Sequence, residues 1–400
     1  MTENAATVKK PLKLVPRMKD QGYSREDVDF RRKWLEEETG CRLNHVGRFS
    51  FPAEEMRGNI ENPIGAAQVP LGAVGPILVM GDHAQGLFYV PMATTEGALL
   101  RSYERGMVLL TRAGGVSCHI HRDENCLAPS FFFKDVAEAA AFAAGLPKRF
   151  ETLKSLADAT TRHGRLLGVE PHVAGREVMV NFRFFTGDAN GMNMVAKAVR
   201  EASDWLVANT PAQRYLIFSG LESEKRASGF LFSGGKGKKV TAGVRLSAKL
   251  LKTYLRVTPQ ELHHLWEHTV IGHFQANSTG FNAHLANGLA AIFIACGQDV
   301  ANVVNAATGI SHLELEEDGG LYASTTLSSL TVGTVGGGVG LGTGRECLET
   351  MGCFGTGKAR KFAEIVAATL LAGEISFSAA IASGEFVDSH ETYGRNRPEP

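Results

Sequence analysis

Cysteine is scarce in this chain, and neither sign of charge dominates. Six cysteines are spread over 400 residues, and no two of them form a Cys-x-x-Cys pair. Thiols this sparse favour a reduced protein in a reducing compartment over a disulfide framework. The formal net charge is zero, so the composition carries no global signal for nucleic acid or an anionic membrane.

Long apolar runs are also missing. Uncharged apolar stretches stay shorter than the roughly 18 residues of a membrane-spanning helix, so we expect no such helix. The first residues, "MTENAATVKKPLKLVPRMKD", lack the apolar core of a signal peptide. Hydrophobic residues still make up 44% of the chain, enough for a large core in two or three domains. We therefore expect a soluble, cytoplasmic protein.

Hydrophobic periodicity divides the chain into three regions. Residues 1–50 are polar, and "DVDFRRKWLEEETG" reads as a helix ended by Gly40, which predicts an N-terminal helical arm. Residues 121–218 alternate strand, helix, strand, helix and strand, typical of a small ferredoxin-like domain. Residues 51–120 and 219–400 are rich in glycine and helical segments. The prediction is an α+β fold in which a small domain is inserted into a large, helix-rich one.

Local signals predict several element boundaries. Residues 61–79 read as short extended pieces and turns, because proline and glycine interrupt them. Apolar spacing predicts a helix over 94–114, capped by Thr94 or Thr95. Thr258 and Glu261 match a capping box that opens another helix. Residues 281–309 read as one long helical region.

Three motifs resemble metal-binding or dinucleotide-binding patterns, and each also has a simpler structural explanation. "HLWEH" at 264–268 matches a zinc-peptidase pattern, but five residues in 400 are weak evidence. "CHIHRDENC" at 118–126 crowds its ligands into one segment, whereas structural zinc prefers separated pairs. "GGGVGLGTG" at 336–344 lacks the glycine spacing of a dinucleotide loop, so a tight turn is favoured. We expect no metal.

"PMATTEG" places Glu96 at the start of a predicted helix in apolar surroundings. The helix dipole favours a first-turn glutamate, which would make Glu96 an ordinary structural residue. A carboxyl group with a raised pKa that can donate a proton is the functional alternative.

Several motifs then occur in the order typical of one family. The chain resembles 3-hydroxy-3-methylglutaryl-CoA reductase (HMG-CoA reductase), and its class I branch in particular, over about residues 55–396. The segments that carry the resemblance are "ENPIG…VPLGAVGP", "PMATTEG", "GDANGMNM", "FNAHLAN", "IACGQD", "TVGGG" and a late "SH". The resemblance implies a small NADP-binding domain within a large substrate and CoA domain.

The resemblance also implies an activity: two hydride transfers from NADPH convert an acyl-CoA thioester into an alcohol. Lys225 matches the cation at the thioester oxygen, and Glu96 matches the proton donor. Asp299 matches the carboxylate that keeps both in the right protonation states. His390 matches the histidine that protonates the departing CoA thiolate.

Binding residues follow from the same resemblance. The loop expected at the nicotinamide consists of Asp188, Ala189, Asn190 and Gly191, with Asn190 where Met is usual. Thr161 and Arg162 match a pair near the 2′-phosphate, which an arginine fork suits. Contacts with substrate, CoA or the dimer interface are implied for Glu61, Asn62, Ser102, Arg105, His119, Ser219, Arg226, Asn282, His284 and Asn287.

The chain departs from the family where the acid end of the substrate would bind. "GGVSCHI" places His119 where the family has an arginine that grips the carboxylate. Leu127 replaces a second basic residue, and "LESEKR" carries Glu224 for Asp and Arg226 for Lys. Arg226 and Arg122 stay candidates for holding a carboxylate.

Four functions therefore stand as alternatives. Reduction of HMG-CoA to mevalonate comes first, and a reductase of the same family acting on another acyl thioester comes second. A non-catalytic binding module and a zinc peptidase are weaker. The expected partners are an acyl-CoA and a second copy of the chain, in a homodimer or higher oligomer with shared sites, without nucleic acid or membrane.

Overall fold

The computed structural model describes residues 13–18, 22–387 and 391. Its helices are α1 (Arg25–Thr39), α2 (Leu99–Arg112), α3 (Val136–Asp158), α4 (Met192–Asn209), α5 (Ala248–Leu255), α6 (Pro259–Gln275), α7 (Leu285–Ala295), α8 (Val303–Ala306), α9 (Gly342–Thr350) and α10 (Ala359–Ala382). Its strands are β1 (Leu71–Gly81), β2 (Gln85–Ala93), β3 (Val116–Leu127), β4 (Ser130–Phe132), β5 (Arg165–Ala174), β6 (Glu177–Phe185), β7 (Arg214–Leu216), β8 (Gly237–Leu246), β9 (Gly309–Leu315) and β10 (Leu321–Leu330). The mixture of helix and sheet is the predicted α+β class.

Contacts divide the chain into two units between Val69 and Pro70, beyond the boundary predicted at residue 50. The first unit contains α1, which ends at a left-handed Gly40 as predicted. Within this unit the fully buried Arg31 donates to the carbonyl oxygens of Gly22 (2.8 Å) and Pro63 (3.3 Å). These bonds satisfy part of the hydrogen-bonding capacity of a buried cation.

A ten-stranded sheet runs through the second unit in the order β7-β4-β6-β3-β8-β10-β9. Off this path, β1 pairs with β3, β2 pairs with β1, and β5 pairs with β6. Strand β3 joins the two parts of this sheet. Residues 117–124 of β3 pair with β8, and residues 125–127 pair with β6. The segment "CHIHRDENC" is therefore a strand between two sheet regions, and not a ligand loop.

Residues 127–217 have a hydrophobic core of their own, in which α3 and α4 pack on the strands β4 to β7. The order is strand, helix, strand, strand, helix and strand, which is the ferredoxin-like arrangement. The sequence reading missed β5, because "RLLGVEPHVA" contains proline and glycine and shows no clean alternation.

Helix α10 lies at the centre of the second unit, and most of its residues are buried. Among the described helices it alone is long and apolar enough to cross a membrane, but 78% of that apolar window is buried inside the protein. A helix apolar on all sides is the expected form of a core helix. Its burial therefore accounts for its composition.

Three local predictions were wrong. Residues 71–81 form the continuous strand β1, in which a register shift between Val74 and Ile77 accommodates proline. Helix α2 begins after a left-handed Ala98 rather than after a threonine cap. The region 281–309 breaks at the left-handed Gly297, so α7 ends at Ala295. The capping box of Thr258 and Glu261 is confirmed at the start of α6.

Candidate functional site

Lys225 and Asp299 form an exposed ion pair. The distance from Lys225 Nζ to Asp299 Oδ2 is 2.8 Å, and both side chains are more than 40% accessible to solvent. The hydrogen bond to Asp299 raises the pKa of the Lys225 ammonium, so the group stays protonated at neutral pH. The structure thus brings together two of the predicted catalytic residues and leaves their charges open to a ligand.

The loop predicted to bind the nicotinamide, residues 188–191, is connected to the segment of Asp299 through Gly333 and Thr334. The carbonyl oxygen of Asp188 accepts a hydrogen bond from the Thr334 amide at 2.8 Å. The side chain of Gln298 bonds both backbone groups of Gly333, at 2.9 and 3.0 Å. Because Gln298 directly precedes Asp299, the loops that carry Asp188 and Asp299 meet on the same short segment.

The Asp188 carboxylate has a structural role as well. It accepts hydrogen bonds from the backbone amides of Gly357 (2.8 Å) and Ala359 (3.0 Å), at the start of α10. A carboxylate at this position stabilises a helix start. The loop 188–191 is therefore fixed on two sides.

The remaining cofactor candidates gather at the start of α4. Gly191 is the residue before this helix and has a φ of 82°, and among the described side chains none caps the helix start. Thr161 Oγ1 contacts Met194 Sδ at 2.9 Å in the first turn of α4. Arg162 is exposed and has no ion-pair partner among the residues that the structure describes. An uncapped helix start beside a free arginine suits a phosphate group.

Glu96 lies at a separate cavity of about 700 Å³. Asn287 Nδ2 donates to both Glu96 oxygens, at 2.9 Å and 3.1 Å. A cavity of this size holds a small ligand or part of a large one. The predicted residues that line it are Glu96, Ser102, Arg105, His284 and Asn287.

His284 is held in the wall of this cavity by Glu374. The Glu374 carboxylate accepts hydrogen bonds from the backbone amides of Ala283 (2.7 Å) and His284 (2.8 Å), and it lies 3.3 Å from His284 Nδ1. Burial alone would raise the pKa of Glu374, but the hydrogen bonds from His284 and Ala283 outweigh it and lower the pKa. The sequence reading missed Glu374, whose only signal is an acid in an apolar helix.

The other residues expected near CoA differ in their contacts. Ser102 Oγ lies 3.1 Å from Ser376 Oγ, and Arg105 donates to the Ser376 carbonyl oxygen at 2.8 Å. Asn282 instead turns its amide towards the backbone carbonyls of Ala307 and Gly309, at 3.0 and 3.2 Å. Asn282 therefore holds the chain before α7.

The Glu96–Asn287 and Lys225–Asp299 pairs lie at opposite ends of α7. Asn287 is in the first turn of this helix, and Asp299 follows its last residue, Ala295. At 1.5 Å per residue, Asn287 and Ala295 are about 12 Å apart along the helix axis. Within one chain, the structure does not bring Glu96 to the Lys225–Asp299 pair.

The predicted acid-binding wall is only partly supported. His119 Nδ1 lies 2.5 Å from Asp82 Oδ2, and 63% of the His119 side chain is exposed, so its position is open to a ligand. Leu127 is fully buried in the core of residues 127–217. Because that core excludes ligands, the prediction of Leu127 as a wall residue was wrong.

Of the two arginines predicted for that wall, one is held by contacts within the protein and the other is exposed to solvent. Arg122 donates to the Ser233 carbonyl oxygen at 2.9 Å and pairs with Glu124 at 3.2 Å. Arg226 is exposed directly after Lys225. Ser219 Oγ accepts the Leu221 amide at 3.2 Å. Arg226 is thus the better placed of the two arginines for a carboxylate.

The metal motifs hold no cluster. Across the described residues, no three His, Cys, Asp or Glu side chains stand close enough to hold a metal ion. His264 and His268 contact one another at 3.2 Å on the exposed face of α6. Cys118 and Cys126 are buried, and burial raises the pKa of both thiols, that of Cys126 to about 12. These cysteines are protonated core residues.

Three predicted residues remain, namely His390, Glu61 and Asn62. His390 falls outside the residues that the structure describes. Glu61 and Asn62 are exposed residues of the first unit, and Asn62 has a left-handed φ of 49°.

Comparison with known proteins identifies the family. The family model "Hydroxymethylglutaryl-coenzyme A reductase" matches residues 27–395. A 3-hydroxy-3-methylglutaryl-coenzyme A reductase from Methanocaldococcus jannaschii is 41% identical over 378 residues, covering 92% of this chain and 93% of the relative. One from Pyrococcus horikoshii is 42% identical, covering 94% of this chain and 93% of the relative. The chain therefore belongs to the hydroxymethylglutaryl-coenzyme A reductase family.

A solved structure gives the same fold at low identity. The class II 3-hydroxy-3-methylglutaryl-CoA reductase from Streptococcus pneumoniae, solved with NADPH in open conformations, aligns with a TM-score of 0.66 and 19% identity. The alignment covers 88% of this chain and 96% of that structure. This similarity supports the α+β architecture, and the class I resemblance of the sequence stays a prediction.

Proposed function

We propose that this chain reduces 3-hydroxy-3-methylglutaryl-CoA to mevalonate with NADPH, through a hemithioacetal and an aldehyde. The observation that carries the proposal is the solvent-accessible Lys225–Asp299 pair beside the loop of Asp188, in a member of this family. The two relatives from Methanocaldococcus jannaschii and Pyrococcus horikoshii are named as this reductase, and the similarity covers 93% of each of them.

Lys225 stabilises the negative charge that develops on the thioester oxygen. Its ammonium is a fixed cation, since the bond to Asp299 raises its pKa. A preoriented cation at a developing oxyanion lowers the barrier most where little reorganisation is needed. Asp299 orients the ammonium through the 2.8 Å contact.

Glu96 acts as the proton donor. Asn287 holds its carboxyl group at the wall of the 700 Å³ cavity, which takes the acyl and pantetheine end of the substrate. Ser102 and Arg105 line the same cavity and contact the CoA phosphates. His390 protonates the departing CoA thiolate.

The residues around α4 fit NADPH. The uncapped start of α4 and the exposed Arg162 supply backbone amides and a guanidinium for phosphate groups. The loop 188–191 would hold the nicotinamide end of the cofactor. When bound, NADPH supplies the hydride for each reduction.

A complete site requires two copies of the chain. Since α7 separates Glu96 from the Lys225–Asp299 pair within one chain, we infer that Glu96 of one subunit faces Lys225 of the other. The protein would therefore be a homodimer or a higher oligomer. We also propose that it is soluble and cytoplasmic and that it is of the class I type.

We also propose the division into three regions that the sequence predicts. Residues 121–218 form the inserted NADP-binding domain, which the separate core of residues 127–217 supports. Residues 51–120 and 219–400 form the substrate and CoA domain, and residues 1–50 an N-terminal arm.

A different acyl thioester is the second candidate, because His119 is paired with Asp82. A histidine held by an aspartate offers a substrate carboxylate less positive charge than a free arginine. A neutral acyl group would then suit this wall as well as an acid.

Purified protein mixed with NADPH and a panel of CoA thioesters tests both candidates through the loss of NADPH absorbance. We expect turnover of HMG-CoA, and a Lys225→Ala variant at least about a thousandfold slower, as for loss of a transition-state charge contact. Turnover of only neutral thioesters would select the second candidate. Absence of NADPH oxidation with every thioester would leave a binding module.

A further inference from the structure

Lys236 is a fully buried lysine that none of the predicted roles uses. Its side chain has no solvent exposure, and its ammonium pairs with the Glu224 carboxylate. It also donates to Asn125 Oδ1 at 3.0 Å and contacts Met192 Sδ at 3.3 Å. A buried ammonium is costly unless its charge and its donors are satisfied, so these partners define one position for it.

Through Glu224, Lys236 contacts the loop that carries Lys225. Glu224 directly precedes Lys225, and the residues on either side of Glu224 are strained. Ser223 has a φ of 51° and Lys225 a φ of 55°, both in the left-handed region. Such a residue persists only where the surroundings hold it. The contact of Glu224 with the buried Lys236 holds this turn from within, together with the hydrogen bond from Ser223 Oγ to Ser228 Oγ at 2.8 Å.

Through Asn125, Lys236 is also connected to the predicted nicotinamide loop. Asn125 accepts the bond from Lys236 with its amide oxygen and donates with its amide nitrogen to the Asn190 carbonyl oxygen at 2.7 Å. Asn125 is itself nearly fully buried at the end of β3. A continuous chain of polar contacts therefore runs from Glu224 through the buried Lys236 and Asn125 to Asn190, and its two ends are partly exposed.

We propose that Lys236 is a positioning residue that couples the Lys225 loop to the Asn190 loop, so that catalytic cation and cofactor loop are ordered together. The inference rests on the proposed function. It predicts that loss of the Lys236 charge slows hydride transfer even in molecules that remain folded. A buried ion pair that served only stability would instead change the folded fraction and leave the rate per folded molecule intact.

Three variants separate these cases. Lys236→Met keeps the length of the stem and leaves the half-buried Glu224 carboxylate without its cation, and we expect kcat to fall at least about tenfold. Lys236→Arg keeps the charge, and we expect kcat within about threefold of wild type. Glu224→Gln/Lys236→Met removes both charges, so we expect its thermal midpoint to recover while kcat stays low.

Lys239→Met is the matched control, because Lys239 lies three residues along the chain and outside the polar network. We expect its kcat and thermal midpoint to match wild type. Wild-type kcat in the folded Lys236→Met protein, or in the double variant, would overturn the proposal. So would failure of Lys236→Arg to restore the rate at a wild-type thermal midpoint.

Amide hydrogen exchange supplies a readout that needs no substrate. In Lys236→Met we expect faster exchange in both 219–228 and 187–191, and unchanged exchange in α3. Faster exchange in 219–228 alone would refute the coupling of the two loops. This result is independent of turnover, so a wild-type protein inactive on HMG-CoA would defeat the proposed function without deciding the role of Lys236.

Discussion

Single residues of the acid-binding wall decide how far this chain departs from its relatives. His119 was identified from the sequence as a replacement for arginine, and its exposed position agrees with a ligand contact. Its partner Asp82 was not foreseen, because Asp82 belongs to the turn between β1 and β2. Leu127 lies eight residues beyond His119 on the same strand and inside the core, so one strand does not carry the whole wall.

Restoring the arginine should restore preference for an acid. For Asp82→Asn/His119→Arg we expect the kcat/KM ratio of HMG-CoA to a neutral thioester to rise about tenfold, since the guanidinium forms a bidentate bond with carboxylate. Asp82 is changed as well, because it would otherwise bind the new guanidinium. Steady-state kinetics on both thioesters give the ratio.

The control is Asp82→Asn/His121→Arg, since His121 is the next exposed histidine on β3 and bonds Thr241 at 2.9 Å. Equal ratios for the two double variants would remove His119 from the substrate pocket.

At the scale of elements, α10 supports the cavity wall through one buried carboxylate. Glu374 is 4% exposed and accepts hydrogen bonds from the segment before α7 and from Ser311 at 2.7 Å on β9. The sequence predicts the helix from its alanine-rich, apolar pattern. It does not predict the contact, because the partners lie about 60 and 90 positions away and meet only through the topology.

Glu374→Gln should lower the free energy of unfolding at pH 7 by about 3 kcal/mol, because an amide cannot accept all of these bonds. The pKa of Glu374 is lowered in the folded protein. Its contribution is therefore complete above the unfolded value of about 4.3 and is lost as pH falls through the folded value. Urea unfolding at pH 7 and at several pH values below about 4.3 measures the difference.

Glu349→Gln on α9 is the comparison, because its carboxylate is exposed and its ion pair with Arg345 contributes little. A stability gap between wild type and Glu374→Gln that does not shrink towards acid pH would disprove the linkage.

At the scale of the whole molecule, the proposed function makes the site depend on a second copy of the chain. The two ends of α7 carry different halves of the predicted catalytic set, so we propose that two chains complete the site together. Symmetric dimers solve this when each subunit supplies one half to each of two equivalent sites.

Mixing two inactive variants tests the shared site. In a dimer of Lys225→Ala with Glu96→Gln, one site carries both substitutions and the other carries neither. Random mixing should therefore restore about one quarter of wild-type activity, since half of the dimers are mixed and half of their sites are intact. Unfolding and refolding the two proteins together, followed by the NADPH assay, measures this recovery.

Refolding each variant by itself is the control and should give background activity. Background activity in the mixture as well, with mixed dimers verified by affinity tags, would mean that Glu96 and Lys225 act within one chain.

The sequence by itself determined the family, the α+β class and the identity of most candidate site residues, because those depend on local motifs and residue chemistry. The tertiary structure decided which of them meet. It paired Lys225 with Asp299 and Glu96 with Asn287. It also joined Glu224 to Asn190 through the buried Lys236 and Asn125. These contacts join residues far apart in the chain, and only the packing of strands and helices brings such residues within bonding distance.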